Sequence, residues 1–505
     1  MRRDKKINVS DSRILRKKLY QLNEIERFET FDRFIVKKML TQEETEELRE
    51  EELSKERLNH LREKAYRVFS KQVGKVTVAS RSTIKKWFGL NGYVRPKRKH
   101  IIKLAFALGL SEEELQEYLV RGILQQGIQI NDYREMIYLY GLNQRISYEE
   151  CEDMVEVFET YVYKDTVIAQ NTHTLQLWNM FRAHCHEPRE KFIEWMCCNA
   201  GFFKGYSKIA LSHFMEIKRE MLSYIRREAR EELFWLLAET NFSEWAEENQ
   251  VKEEEYEENI SRYIRNMSRR KDRGQLSEEM KEAITKLNWV ANSSKEKTTD
   301  LLAELYASAI ESDGKSEGTQ KRIRYKSRER FQLPKEFFFM TDKHISQIIG
   351  IAQLKEKEIR LSQALGCLKH EEGVCPEWIG RLLEEYNIQA PENAGEARKF
   401  IQKLLSTQEQ RCHLVQREDL LPLIHYVAQK RYERSLQGQN DRYRCENARI
   451  FFIEMANTIL EECQMAPVSE EYQLDYLLLS CYGKDYMYSL ADVIEESEMI
   501  KTCQG

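Results

Sequence analysis

Glycine and proline are scarce in this chain, at 20 and 7 of 505 residues. Because these two residues end helices and form tight turns, their scarcity favours long helices joined by short loops over sheets. No run of 18 or more apolar residues occurs, which argues against a membrane-spanning segment. The first six residues include four bases, but no apolar segment follows them, so no secretory signal is expected. We therefore predict an all-α protein that resides in the cytoplasm.

The eleven cysteines also lack a pairing pattern, being odd in number and irregularly spaced. Reduced thiols of a cytosolic protein fit this usage. The one metal-like cluster is His184-Cys185-His186, followed by Cys197-Cys198. Zinc accepts these ligand types, but the spacing matches no common zinc motif. We expect ordinary helix residues here and no metal or other cofactor, with a zinc site as the weaker alternative.

Motifs of the large enzyme families are missing as well. The chain has no GxxxxGK[ST], no GxGxxG after a strand, no GxSxG and no HExxH. Four isolated histidines, His173, His213, His344 and His425, are interpreted as helix-face residues rather than general bases. We predict that the protein is not an enzyme, while an activity of an unrecognised helical class stays open as an alternative.

Acidic residues are absent from residues 71–110, although they make up about one position in six of the chain, which carries a net charge of −4. The same stretch holds ten bases. They are Lys71, Lys75, Arg81, Lys85, Lys86, Arg95, Lys97, Arg98, Lys99 and Lys103. Such a concentration of positive charge is typical of a surface that binds a phosphate backbone.

Ser80 has the character of an N-cap, and a short helix is predicted to follow it. Ile84, Trp87 and Phe88 are spaced i, i+3, i+4 and so share one apolar face. Arg81, Ser82 and Lys85 project from the opposite side. A short helix with an apolar back and a small, basic front can enter a major groove.

This stretch resembles the second half of a phage-repressor-type (XRE-like) helix-turn-helix domain. The resemblance lies in Ser80-Arg81-Ser82-Thr83-Ile84-Lys85-Lys86-Trp87, then Pro96, then Leu104–Leu110, then Ser111-Glu112-Glu113-Glu114-Leu115. In that family a recognition helix is followed by a loop that ends near proline, a helix with small residues, and a fifth helix. The resemblance implies that residues 81–87 are the recognition helix. It also implies a preceding helix at residues 70–77.

From these observations we predict a DNA-binding transcriptional regulator, and we read the chain as bacterial. Arg81, Ser82 and Lys85 would face the groove of double-stranded DNA. Five further residues would contact phosphates: Lys86, Arg95, Lys97, Arg98 and Lys99. A homodimer is expected, because one small recognition helix covers only a half-site.

Five parts of the chain are predicted. They are a charged helical arm at 1–52, a helix-turn-helix DNA-binding-like domain at 53–125, a helical domain at 126–310, a basic linker at 311–333 and a C-terminal helical domain at 334–505. The acidic run Glu43–Glu56 is interpreted as a solvated helix face, or else as a shield for the basic stretch. The basic run 321–330 is interpreted as a tether, or else as a second phosphate contact. No fixed-period internal repeat is found.

Two alternatives to gene regulation stay open. The first is a helical scaffold for protein partners, related to defence or stress, with a degenerate helix-turn-helix. The aromatic stripes of residues 166–250 are expected to form core, but they could instead line a concave surface that grips a peptide. The second alternative is the enzyme of unrecognised helical class.

Overall fold

A computed structural model describes most of the chain. The described residues are 14–15, 17–19, 21–22, 28–48, 54–74, 76–162, 174–252, 255–269, 276–292, 298–306, 310–312, 323–325, 339–436, 445–483 and 487–494. The all-α prediction is confirmed, since helices make up nearly all of the regular structure. No described helix combines the length and the apolar character that crossing a bilayer requires.

Residues 14–15, 17–19 and 21 are helical, and ten α-helices follow between residues 31 and 198. They are α1 (Phe31–Met39), α2 (Gln42–Glu47), α3 (Lys55–Val73), α4 (Arg81–Trp87), α5 (Arg98–Leu108), α6 (Glu112–Glu117), α7 (Tyr133–Gln144), α8 (Tyr148–Val162), α9 (Thr174–His184) and α10 (Arg189–Cys198). A π-helical turn, Tyr118–Gly122, continues α6, and a 3-10 turn, Ala200–Phe202, follows α10.

The next helices of the described chain are α11 (Lys208–Glu239), α12 (Phe242–Glu248), α13 (Tyr256–Arg269), α14 (Glu278–Asn292) and α15 (Thr298–Tyr306). Two three-residue strands, β1 (Ile310–Ser312) and β2 (Ile323–Tyr325), then pair antiparallel, with Ile310 opposite Tyr325. The other residues of the predicted 311–333 linker, Lys321 and Arg330 among them, lie outside the described residues.

The last described helices are α16 (Asp342–Ile349), α17 (Ile351–Leu368), α18 (Glu377–Glu384), α19 (Ala394–Arg411), α20 (Arg417–Ser435), α21 (Cys445–Glu462) and α22 (Gln473–Leu479). Helices α20 to α22 form the centre of the largest core. The described cysteines are free thiols, and Cys503 lies outside the described residues.

The residues of the predicted charged arm contribute to two different cores. Leu15, Leu19 and Phe28 are buried among α20, α21 and α22. Phe31 and Phe34 of α1 belong instead to the core that contains α3, α4 and α5. Helix α1 is therefore part of the packing that holds the candidate recognition helix.

Helix α11 joins two cores along its length. Its 32 residues span about 48 Å at the usual rise per residue. Phe214 and Met221 of its first half are buried against α20 and α21. Leu233 and Leu237 of its second half are buried among α12, α13 and α14.

Two parts of the fold share the same buried ion-pair arrangement. Arg98, the first residue of α5, forms a bidentate pair with Glu135 at 2.6 and 2.7 Å. The same guanidinium donates to the carbonyls of Gln126 and Gly127, each at 2.6 Å. Glu135 also accepts the backbone N–H of Gln129 at 2.6 Å. We call this set the first clamp.

The second clamp centres on Arg417, the first residue of α20. Arg417 pairs with Asp475 and donates to the carbonyls of Ala466 and Pro467 at 2.8 and 3.0 Å. Asp475 accepts the N–H of Ser469 at 2.8 Å. In the first clamp the two carbonyls, the N–H and the carboxylate belong to residues 126, 127, 129 and 135. In the second clamp they belong to residues 466, 467, 469 and 475, which have the same spacing along the chain.

The likeness continues on either side of the clamps. Leu124 and Gln464, two residues before the first carbonyl in each copy, both have positive φ, at 52° and 55°. Ser147 and Ser489 each exchange hydrogen bonds with an acid three residues on. The chain therefore contains a repeated arrangement that the search for a fixed sequence period missed.

Candidate nucleic-acid interface

Helix α4 forms where the sequence predicted it. The side chain of Ser80 accepts the N–H of Thr83 at 3.2 Å, which satisfies one of the free donors of the first turn. The apolar face also follows the prediction, because Trp87 and Phe88 are 1% and 0% exposed and Ile84 is half-buried. The local residue pattern thus determines both the start of the helix and its orientation.

Aromatic contacts attach the back of α4 to three other helices. The Trp87 ring meets Phe31 of α1 edge-on at 6.4 Å and His100 of α5 at 5.4 Å. Phe88 packs against Phe69 of α3 at 5.2 Å. Each such pair adds about 0.5–1.5 kcal/mol to the burial of its rings. These contacts hold α4 in one orientation.

Gly89 directly follows Phe88 and has a backbone conformation that few other residues adopt. Its φ is +70°, and a Cβ atom here would lie 2.7 Å from Cζ of Arg62 and 2.8 Å from Oδ2 of Asp32. Arg62 and Asp32 pair at 2.6 Å beneath it. The glycine lets the chain leave α4 directly over this ion pair.

The resemblance implied a separate helix at residues 70–77, and this prediction was wrong. Residues 70–73 are the last turn of α3, and Gly74 ends that helix with a φ of +61°. Val76 and Thr77 lie in the loop that leads to Ser80. Their β-branched side chains disfavour helix, and Gly74 adopts its positive φ at little cost because it lacks a Cβ atom. The described residues between α3 and the first residue of α4 are therefore 74 and 76–80.

The opposite side of α4 faces solvent. Arg81 and Ser82 are exposed, and Lys85 and Lys86 are half-buried. We call these four residues the α4 front. Among the described residues, none of its three bases has a carboxylate partner within 4.0 Å. Arg81 donates from Nε to the hydroxyl of Tyr66 at 3.4 Å, and Nζ of Lys85 lies 5.9 Å from the centre of the Tyr66 ring.

The predicted phosphate ligands Arg95 and Arg98 have other partners in the fold. Arg98 is held in the first clamp, where its side chain is 18% exposed. Arg95 donates to the Ile123 carbonyl and lies 3.3 Å from Glu418 at the start of α20. Arg95 thus connects the loop at 122–127 to α20, and Arg98 connects the same loop to Glu135 of α7. The sequence showed their charge but not these partners.

Lys97 and Lys99 are exposed, and with Lys103 they surround His100. We call these three the α5 lysines. Burial and the three nearby positive charges hold the pKa of His100 below its usual value. The neutral ring uses Nδ1 to accept the N–H of Lys97 at 3.3 Å, which caps α5. His100 also packs on Trp87, so the α5 lysines lie close to the back of α4.

The acidic run at residues 43–56 does not cover the α4 front in the described residues. Glu44 pairs with Lys64, and Glu47 forms a bidentate pair with Arg57 at 2.5 and 2.8 Å. Both bases belong to α3. Glu44 and Glu47 therefore pair with α3, whereas residues 49–53 of the run lie outside the described residues.

The cysteine and histidine cluster around residue 185 has an ordinary packing role. His184 stacks on Trp195 at 4.7 Å and lies 3.2 Å from Glu187, while Cys185 is buried. No group of three His, Cys, Asp or Glu residues in the described chain is arranged to hold a metal. His425 is buried and contacts Phe452 and Tyr482 edge-on.

The aromatic residues of 166–250 divide into two groups. Phe181 and Phe192 are buried, as expected for core residues. Phe234 and Trp235, on the second half of α11, are 48% and 56% exposed. Phe181 and Phe192 belong to the same hydrophobic cluster as the back of α4.

Comparisons with known proteins give no relative from which a function could be transferred. No protein-family model matches the chain, and neither a curated protein nor a solved structure matches it. The functional argument therefore depends on the geometry of the α4 front and the α5 lysines.

Proposed function

We propose that this protein binds double-stranded DNA through the α4 front and acts as a transcriptional regulator of the helix-turn-helix type. The observation that carries this proposal is the absence of carboxylate partners around Arg81, Lys85 and Lys86 within the described chain. These three bases lie on one seven-residue helix of a protein whose net charge is −4, so they form a local concentration of positive charge. Phosphates and base edges are the partners that such a surface suits.

The orientation of α4 supports the same proposal. Its aromatic back is fixed by Phe31, Phe69 and His100, so the front is presented by a rigid support. Arg81 has the fork of donors that suits guanine or phosphate, and Ser82 is short enough to permit close approach. The exposed Lys97 and Lys99 would contact phosphates beside the groove.

Arg95 and Arg98 are left out of the proposed interface. Arg98 satisfies four acceptors inside the protein, and releasing it would leave Glu135 buried and unpaired. We call α3 to α6 together with the loop that continues to Gly127 the module, and Arg95 connects this module to Glu418 of α20. Five bases therefore remain as candidates for phosphate or base contacts. They are Arg81, Lys85, Lys86, Lys97 and Lys99.

The second candidate function is a scaffold that assembles protein partners. The contacts that favour it are those between the module and the C-terminal helices. The Gly127 N–H donates to the Gln464 carbonyl at 2.9 Å, and Arg95 lies beside Glu418. On this alternative, the module is a docking unit and its bases need no nucleic acid.

The deciding experiment selects bound duplexes from random DNA with the full-length protein and then titrates binding against salt. With about five phosphate contacts, the log–log slope should be about −4.5. Arg81→Ala and Lys85→Ala should weaken binding and alter the selected sequence. Arg381→Ala, which removes an exposed base paired with Glu377 on α18, is the matched control.

A palindromic selected site would support a regulator that binds as a homodimer. If no duplex is enriched, and protein partners bind equally well when Lys97 and Lys99 are replaced by alanine, the scaffold replaces the regulator as the better proposal.

A further inference from the structure

Tyr66 of α3 contacts two of the three predicted groove-facing residues, although nothing in its sequence position singled it out. Its hydroxyl accepts the Nε–H of Arg81 at 3.4 Å. Its ring lies 5.9 Å from Nζ of Lys85 and meets Phe88 edge-on at 5.8 Å. The residue is half-buried, so one side of it packs on the back of α4 and another side reaches the front.

The hydroxyl contact uses only one donor group of Arg81. A guanidinium carries five N–H bonds in a planar fork, one on Nε and four on the terminal nitrogens. With Nε bound to Tyr66, the terminal nitrogens have no partner in the described chain. That edge is the one that binds guanine or phosphate in a bidentate manner.

The ring contact acts on Lys85 in a second way. Arg81 and Lys85 are four residues apart on one helix, a spacing at which like charges repel. The face of an aromatic ring attracts a cation. Tyr66 therefore binds both cations by different means and limits the conformations of two long side chains. Less side-chain entropy would then be lost when DNA binds.

We infer that Tyr66 is a positioning residue that holds Arg81 and Lys85 in the conformation in which they contact DNA. This inference rests on the proposed function. It adds an explanation of how the protein discriminates between bases. The hydrogen bond from Nε of Arg81 to the Tyr66 hydroxyl directs the two terminal nitrogens of Arg81 away from α3.

The test compares Tyr66→Phe with the wild type on the duplex selected by the full-length protein. The variant removes the hydroxyl and keeps the ring. The loss of one hydrogen bond should lower affinity about 2- to 12-fold. Discrimination against a duplex with one substituted base pair should fall as well. The salt slope should be unchanged, because no charge is removed, whereas Lys97→Ala, which removes a proposed phosphate contact, should reduce it by about 0.9.

A double-mutant cycle separates positioning from general support of the fold. If Tyr66 acts through Arg81, Tyr66→Phe should have no further effect on discrimination once Arg81 is alanine. Tyr140→Phe is the matched control, because its hydroxyl on α7 donates to the carbonyl of Glu187, just before α10, at 2.8 Å. That variant should bind like the wild type.

The outcomes distinguish this inference from the proposed function. A wild type that binds no duplex overturns both. A wild type that binds, with Tyr66→Phe equal to it in affinity and discrimination, overturns only the role of Tyr66. If the phenylalanine variant folds poorly, the slowed exchange of the Arg81 Nε–H in the free wild-type protein, measured by NMR, replaces it. Exchange as fast as that of the exposed Arg381 would then refute the contact.

Discussion

Arg417 and Asp475 form an ion pair that is almost fully shielded from solvent, with side chains 2% and 0% exposed. The guanidinium also donates to the Ala466 and Pro467 carbonyls and lies 5.2 Å from the Tyr472 ring. This pair holds the start of α20 against the loop that precedes α22. It forms the centre of the second clamp.

Removal of one partner of this pair should destabilise the protein strongly. Asp475→Ala leaves a buried guanidinium without its counter-ion, and we expect the free energy of unfolding to fall by about 3–5 kcal/mol. Chemical denaturation measures this change. In the exposed pair, Arg381→Ala should leave the free energy of unfolding almost unchanged. Equal losses in the two variants would contradict the buried role.

Arg98 belongs to the first clamp and Lys99 does not, so alanine substitutions at these two neighbouring bases should differ in their effects on stability and on DNA binding. Arg98→Ala should lower the free energy of unfolding by about 2–4 kcal/mol, because Glu135 and two carbonyls lose their donor. Lys99→Ala should leave stability unchanged within about 0.5 kcal/mol, since Lys99 is exposed. On the proposed function, Lys99→Ala weakens DNA binding. Denaturation and duplex titration of both variants check the pair of predictions.

Gly89→Ala should cost more than a positive φ alone explains. The left-handed conformation costs a non-glycine residue about 1–2 kcal/mol. At Gly89 the new methyl group would also displace the Arg62–Asp32 pair, whose atoms lie 2.7–2.8 Å from it. Gly109→Ala is the control, because its φ is +62° and no atom lies within 4 Å. A larger loss at Gly109 than at Gly89, measured by thermal unfolding, would contradict this account.

His425 should make the protein less stable in mild acid. Burial lowers the pKa of His425 from 6.5 to about 3, so the folded protein keeps the ring neutral. The unfolded chain takes up a proton below pH 6.5, and the free energy of unfolding should therefore fall as the pH drops from 6.5 toward 3. The slope from this group is about 1.4 kcal/mol per pH unit.

Denaturation of the wild type and His425→Gln at pH 7, 5.5 and 4.5 tests this dependence. The free energy of unfolding of the variant should fall less steeply with decreasing pH, by the contribution of one group. This difference in slope is expected whatever the stability of the variant at pH 7. His370→Gln, at an exposed position beside Glu156, serves as the control. A slope that His425→Gln leaves unchanged would show that other groups cause the acid sensitivity.

Local elements of the module were predictable because short-range chemistry determines them. Ser80 and Ser111 cap α4 and α6 as expected, and Gly109 ends α5 in the left-handed conformation. The i, i+3, i+4 spacing also identified Trp87 as an inward residue. Each of these predictions needed only residues within about one helical turn.

What the sequence left open depends on partners that are distant along the chain. Arg98 meets Glu135 and Arg95 meets Glu418, so their charges act within the fold and not toward solvent. Tyr66 was missed for the same reason, since Arg81 lies across the turn between α3 and α4. The repeated clamp was missed because only Arg98 and Arg417 are identical within it, and they lie 37 and 58 residues before their acids. The other matching positions carry different residues, such as Glu135 and Asp475.

The single unbroken length of α11 has a mechanical consequence. The helix is anchored by Phe214 in the core of α20 and α21 and by Leu237 in the core of α12, α13 and α14. No loop interrupts it between these two residues. A large change in the relative orientation of the two cores would therefore require α11 itself to bend or break.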